Sequence, residues 1–192
     1  MQGGPSISAG NETKQDRSAQ GRERLFLALW PDENVRSGLA ALAPQVVRAG
    51  DGRTVRPENL HATLLFLGPT EGSTRACVER LASRVGGHGF SLTLDRVEHR
   101  AKQGIVWVAA DVPSPLAALV DELRRALLEC GVQPENREYR AHVTLARKVR
   151  RPQTVGTIAP ITWHVDRFVL VESKTYPSGA SYQILRSWLL LS

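Results

Sequence analysis

Two tetrapeptides carry the residue types that proton transfer needs. His61-Ala62-Thr63-Leu64 opens the run HATLLFLG, and His142-Val143-Thr144-Leu145 opens HVTLAR. Both runs have strand character. On a strand, residues two apart point to one face, roughly 6.8 Å apart along the chain. Each run therefore projects an imidazole and a hydroxyl from the same side. Histidine, with an ordinary pKa near 6.5, holds both protonation states near neutrality. One neutral imidazole can take a proton from water while one protonated imidazole gives a proton to a leaving oxygen. Two threonine hydroxyls can donate to phosphate oxygens as charge builds on them. With the two strands side by side, acid, base and anion donors meet in one cleft. Phosphodiester cleavage needs those groups and no metal. A single His-x-Thr is a weak signal. Two copies, both extended by Leu and both preceded by a helix and a polar loop, are a specific one. They start at positions 61 and 142, and the echo suggests two similar lobes about a pseudo-two-fold axis.

The neighbours of the motifs supply binding candidates. Arg147 lies five residues after His142, an odd offset that places its base on the opposite strand face. Its long guanidinium can still reach a phosphate round a strand end. Arg140 shares the cleft face if that strand begins early, and Arg56 precedes the first motif in a similar way. Trp30, Phe66 and Tyr139 are candidates to stack on a base. Phe66 sits in a continuous apolar run and reads as core. Tyr139, in a polar loop, is the better stacking candidate. His88 in a Gly-rich turn, His99 in a charged hairpin link and His164 beside Trp163 read as surface residues. No pair of these has metal-ligand spacing, so neither a metal nor another cofactor is expected. Nothing matches a phosphate loop, a dinucleotide fingerprint or a nucleophile elbow.

The rest of the chain must position these groups. Residues 24–30 (RLFLALW) read as a buried strand ended by Pro31. Asp32 offers an N-cap for a helix over 32–48, which Pro44 should kink or stop. The first motif strand covers 60–67 and ends at Gly68-Pro69. A second helix covers 71–85. Two strands, 90–97 and 105–112, form a hairpin. Ser114 caps a third helix, with Pro115 in the preferred first position, and Gly131 ends it. The second motif strand covers 142–149. A linker with Pro152 and Pro160 follows, then strands over 163–171 and 182–191. Helices and strands in mixed order, with hairpins, give an α+β fold. The expectation is two similar lobes of antiparallel sheet, helices packed outside and a central cleft between lobes.

At 192 residues the chain fits one domain, and 42% hydrophobic residues suffice for its core. Residues 1–22 are polar, lack an apolar signal segment and read as a disordered tail. Residues 23–192 would be the single bilobal domain. The net charge of +6, carried mostly by Arg, favours an anionic partner. Cys77 and Cys130 make no disulfide framework. They read as small core residues of a reducing, cytoplasmic compartment. No apolar run approaches the roughly 18 residues of a membrane span.

HATLLFLG and HVTLAR, with the opening RLFLALW-P and the lead-ins PENL and YRA, resemble the paired motifs of the 2H phosphoesterases. Within that superfamily they resemble the RNA 2′,3′-cyclic phosphodiesterases, also called 2′-5′ RNA ligases. The resemblance covers about residues 23–191. It departs at Ala141, where that family often has Pro, a change that removes no chemical group. The resemblance implies that His61 is the proton donor and His142 the acceptor, with Thr63 and Thr144 completing the site. It implies hydrolysis of RNA 2′,3′-cyclic ends, tRNA fragments among their sources, to 2′-phosphate ends by a monomer. ATP-independent joining to a 5′-hydroxyl would be a side reaction. Two other readings use the same motifs and charge: a small-molecule nucleotide cyclic phosphodiesterase, and a non-catalytic RNA-end binding module.

Overall fold

Side-chain alternation decides which way each strand faces. In Glu23–Leu29 (β1), Leu25, Leu27 and Leu29 join the main core. Phe26 and Ala28 turn to the other face and form a smaller cluster with Val169 and Val171. A strand buried on both faces must be apolar throughout, hence the unbroken run in the sequence. The computed structural model describes residues 21–191 apart from Ala49, Val155 and Ser178. After β1 come Glu33–Val46 (α1), Arg53–Thr54 (β2), a 3-10 turn Pro57–Asn59 and Ala62–Thr70 (β3). Gly72–Ala82 (α2), Phe90–Arg100 (β4), Ile105–Ala110 (β5) and Ser114–Glu129 (α3) follow. His142–Arg147 (β6), Gly156–Val165 (β7), Arg167–Tyr176 (β8) and Gly179–Leu189 (β9) complete the fold.

The strands form two sheets, ordered β3-β1-β8-β9 and β2-β6-β5-β4-β7. Every pairing between named strands is antiparallel. The α+β architecture with paired sheets is therefore as expected. The helices lace the lobes together. Helix α1 follows β1 of the first sheet but packs on β6 and β7 of the second. Helix α3 follows β5 of the second sheet and packs against β3 of the first, with α2 beside it. Asp32 Oδ1 accepts from Val35 N at 2.9 Å and caps α1. At the other end of α3, Gly131 has φ +75°. Val132 N donates to Leu127 O and Gly131 N to Leu128 O, so a Schellman turn closes the helix.

Several local expectations give way. Pro44 neither stops nor shortens α1, because it falls in the last turn and only two helical residues follow it. Gly68 does not end β3, whose pairing with β1 continues to Thr70. Pro160 lies inside β7, not in a linker. β7 is an edge strand, and its register jumps from Ile161 opposite Leu94 to Thr157 opposite Arg96. A proline is tolerated where no ladder bond is required of it. Ser114 is the first residue of α3 and makes no cap bond. Of the tail expected over 1–22, only Gly21 and Arg22 are described, and Arg22 pairs with Glu71 at 2.8 Å.

The cysteines overturn their reading most clearly. Cys77 on α2 and Cys130 at the end of α3 form a disulfide, with Cα atoms 5.8 Å apart. Both are half-buried rather than core. Two cysteines in separate helices become partners only once α2 and α3 pack together, which no spacing along the chain records. Among the described residues, no helix is long and apolar enough to cross a membrane.

Candidate active site

The two motifs fold alike. In the first, Ala62 and Leu64 are buried while His61 and Thr63 are partly exposed. In the second, Val143 and Leu145 are buried while His142 and Thr144 are partly exposed. Strands β3 and β6 belong to different sheets and meet across a cleft of about 590 Å³. His61, Thr63, His142 and Thr144 all line it.

Each motif also carries a β-bulge at its leucine. Against β1, Thr63 faces Ala28 and Leu65 faces Leu27, so Leu64 is the extra residue. Against β5, Thr144 faces Trp107 and Ala146 faces Val106, so Leu145 is the extra residue. One extra residue reverses the facing of everything after it. The fifth residue after each histidine's own start, Phe66 in one lobe and Arg147 in the other, is thereby turned into the cleft. Phe66 is 53% exposed and is not core. Arg147 needs no detour round a strand end. In the second lobe the bulge carbonyl, Leu145 O, accepts from Val55 N at 2.7 Å.

Both imidazoles are held the same way. His61 Nδ1 donates to Asn59 O at 2.7 Å, and His142 Nδ1 donates to Arg140 O at 2.8 Å. Those bonds place the proton of the neutral ring on Nδ1 and leave Nε2 as the acceptor. Nε2 of His61 lies 3.1 Å from Thr63 Oγ1. The surroundings differ. His61 stacks on Trp30 at 5.4 Å and 6°, with Phe26 at 4.9 Å and Tyr182 edge-on at 5.1 Å. His142 has Trp107 at 5.1 Å, tilted by 50°.

Burial among these rings pushes the His61 pKa down to about 4. The Asn59 carbonyl opposes that push, and the charges of Arg147 and His142 add to it. His142 is also lowered, first by burial and then by Arg137 and Arg100, against the pull of the Arg140 carbonyl and Glu98. A stability effect follows. Between about pH 4 and 6.5 the unfolded chain binds more protons at His61 than the folded one. The contribution of neutral His61 is therefore complete above about pH 6.5 and is lost as pH falls toward 4, by roughly 3 kcal/mol in all. Urea midpoints should drop between pH 7 and pH 4.5, and His61→Phe should blunt the drop. A midpoint that rises on acidification would contradict the burial of His61.

The 2′-5′ RNA ligase superfamily profile matches residues 31–177. The chain belongs to that superfamily. An Escherichia coli (strain K12) protein named RNA 2′,3′-cyclic phosphodiesterase is 29% identical over 171 residues, covering 88% of this chain and 97% of its own. An Archaeoglobus fulgidus protein of the same name is 27% identical, covering 85% of this chain and 98% of its own. The crystal structure of E. coli LigT complexed with 3′-AMP superposes with a TM-score of 0.81 at 28% identity. That superposition covers 89% of this chain and 99% of the other.

Within this superfamily member the remaining candidates separate. Arg140 and Arg147 line the cleft. Arg56 does not; it donates to Ala180 O at 2.9 Å and pairs with Glu58 at 3.4 Å. Tyr139 lines the cleft, but its ring packs against the core and its hydroxyl is buried without a partner. Burial raises that phenol's pKa above its ordinary value. Trp30 is occupied by His61. Phe66, not Tyr139, presents an open aromatic face. His99 is half-buried, its Nε2 3.1 Å from Val149 O, so it anchors its hairpin. His88 and His164 are exposed, as read. Sequence reasoning missed Trp107, Arg100, Arg24 and Arg137, which also line the cleft. Trp107 becomes visible only once β5 is paired with β6 in register.

Proposed function

We propose that this chain hydrolyses RNA 2′,3′-cyclic phosphodiester ends to 2′-phosphomonoester ends by two-histidine acid/base catalysis that needs no metal. One observation carries the reading: two imidazoles from different sheets, each clamped at Nδ1 by the carbonyl two residues upstream, line one cleft with Nε2 available. The relatives' names supply the substrate class.

In this reading His142 Nε2 takes the proton of the attacking water, and His61 Nε2–H protonates the leaving ribose oxygen. Thr63 and Thr144 donate to the non-bridging oxygens where charge develops. Arg147 and Arg140 balance the phosphate charge, and Phe66 offers a base a stacking face. Free His61 is neutral at pH 7, so its role as acid depends on the substrate. A phosphate anion beside the ring favours the imidazolium, helped by the Asn59 carbonyl and the stacked Trp30 face. With a 5′-hydroxyl in place of water, the same steps run forward as a ligation: the 3′-oxygen leaves with the proton from His61 and a 2′-5′ phosphodiester forms. Both histidines come from one chain, so a monomer suffices. We also keep the cytoplasm as its compartment, where thiol pools would hold the Cys77–Cys130 bond open.

The test is a short RNA bearing a 2′,3′-cyclic phosphate, incubated with purified protein and excess chelator. Phosphorus NMR should show a 2′-phosphomonoester as the main product, at a rate the chelator does not change. Attack is in line, so only the oxygen facing the acid leaves easily, and one isomer should dominate. A predominantly 3′-phosphate would reverse the seating of the ribose. Complete loss in chelator, restored by a divalent ion, would overturn the metal-independent mechanism.

A further inference from the structure

Arg100 closes β4, opposite Ile105 in the β4–β5 hairpin, and lines the cleft. Its guanidinium carbon lies 5.3 Å from the centroid of the Trp107 ring. Trp107 in turn sits 5.1 Å from the His142 ring and is only 7% exposed. A ring so covered cannot receive a base. It acts as a spacer that holds one cation a single indole beyond His142. The indole face also limits where the guanidinium can sit, so less freedom is lost when it binds.

Of the other cleft arginines, Arg140 and Arg147 are assigned above to the reacting phosphate, Arg24 lies on the first sheet, and Arg124 and Arg137 are engaged. Arg124 pairs with Asp121 at 3.1 Å and donates to Arg137 O at 2.7 Å. Arg137 pairs with Glu135 at 2.6 Å. Among the described residues, none of the ion pairs includes Arg100. An aimed cation without an anion, in a cleft whose reacting phosphate belongs between the two histidines, marks a second phosphate position. We propose that Arg100 binds the phosphodiester linkage next to the cyclic end, so that the cleft selects an oligonucleotide end over a mononucleotide. This inference rests on the hydrolase reading above and adds a specificity-determining residue to it.

The experiment uses dinucleotides ending in a 2′,3′-cyclic phosphate, with the internal linkage either a normal phosphodiester or a neutral methylphosphonate. The quantity read is the ratio of kcat/KM for the charged over the neutral linkage. Wild type should prefer the charged linkage by roughly ten-fold, the size of one charged hydrogen bond. That preference should shrink as salt rises. Arg100→Ala should bring the ratio close to one. Arg100→Lys should fall between, because the ammonium keeps the charge but loses the planar stack and fork. A wild-type ratio retained in both variants, or a wild-type ratio of one, would overturn the inference while leaving the hydrolase reading intact. No turnover of any dinucleotide by wild type would overturn the hydrolase reading and this inference with it.

Discussion

Replacing His61 or His142 by alanine lowers turnover of a cyclic-phosphate RNA by roughly 10²–10⁴-fold, the usual cost of losing a general acid or base. The two variants should not behave alike in stability. His142 borders one aromatic ring and the open cleft. His61 is packed among Phe26, Trp30 and Tyr182. Truncating it opens a gap in that cluster, so His61→Ala should lose packing as well as the proton. His61→Phe separates the two effects: it refills the gap and should remain as inactive as the alanine variant. Thr63→Ala and Thr144→Ala should cost less, on the order of ten-fold each. Steady-state rates on one dinucleotide, with circular dichroism as the check on folding, decide the matter. A His61→Phe or His142→Ala enzyme near the wild-type rate would end the two-histidine mechanism.

Opening the Cys77–Cys130 bond destabilises the fold by about 4 kcal/mol on the chain-entropy estimate for a loop of this length. The two cysteines are 53 residues apart in sequence. The segment they close contains the second half of α2, β4, β5 and all of α3, so the unfolded chain gains much freedom when the bond is cut. For a domain of this size that loss corresponds to a melting temperature lower by roughly 10 °C. Thermal unfolding with and without reductant measures it. The Cys77→Ser/Cys130→Ser double variant should melt like reduced wild type and ignore reductant. Neither cysteine lines the cleft, so reduced protein should keep its activity at temperatures where it stays folded. Equal melting temperatures for oxidised and reduced protein would show that packing of α2 on α3 alone holds this region.

The reacting groups were legible in the sequence because they lie on short local patterns. His-x-Thr needs only the period of a strand to bring its two side chains to one face, whereas the clamping carbonyls of Asn59 and Arg140 appear only in the structure. What depended on pairing was not legible. The facing of Phe66 and Arg147 follows from bulges, and a bulge is a mismatch between two strands, not a property of either one. Phe66 therefore read as core and Arg147 as facing away. Trp107 and Arg100 reach the cleft through the β4–β5–β6 register. Tyr139 looked free because its loop is polar, yet its ring found the core. Pro160 looked like a linker because edge position is a fact about the sheet. The Cys77–Cys130 bond depends on helix packing, the least local fact of all.

The twin bulges make Leu64 and Leu145 more than spacers. Deleting either would shift its strand back into step and swing the residue two places later away from the opening, with no change to the histidine or threonine before it. The same slot, reached by the same irregularity, holds a phenyl ring in one half and a guanidinium in the other. Where the proposed proton transfers take place, the halves are copies. Where they would touch the rest of a ligand, they differ, one offering a flat apolar surface and one a charge. A bound strand would thus meet different chemistry at its two sides, which gives the opening a front and a back although its frame is symmetric.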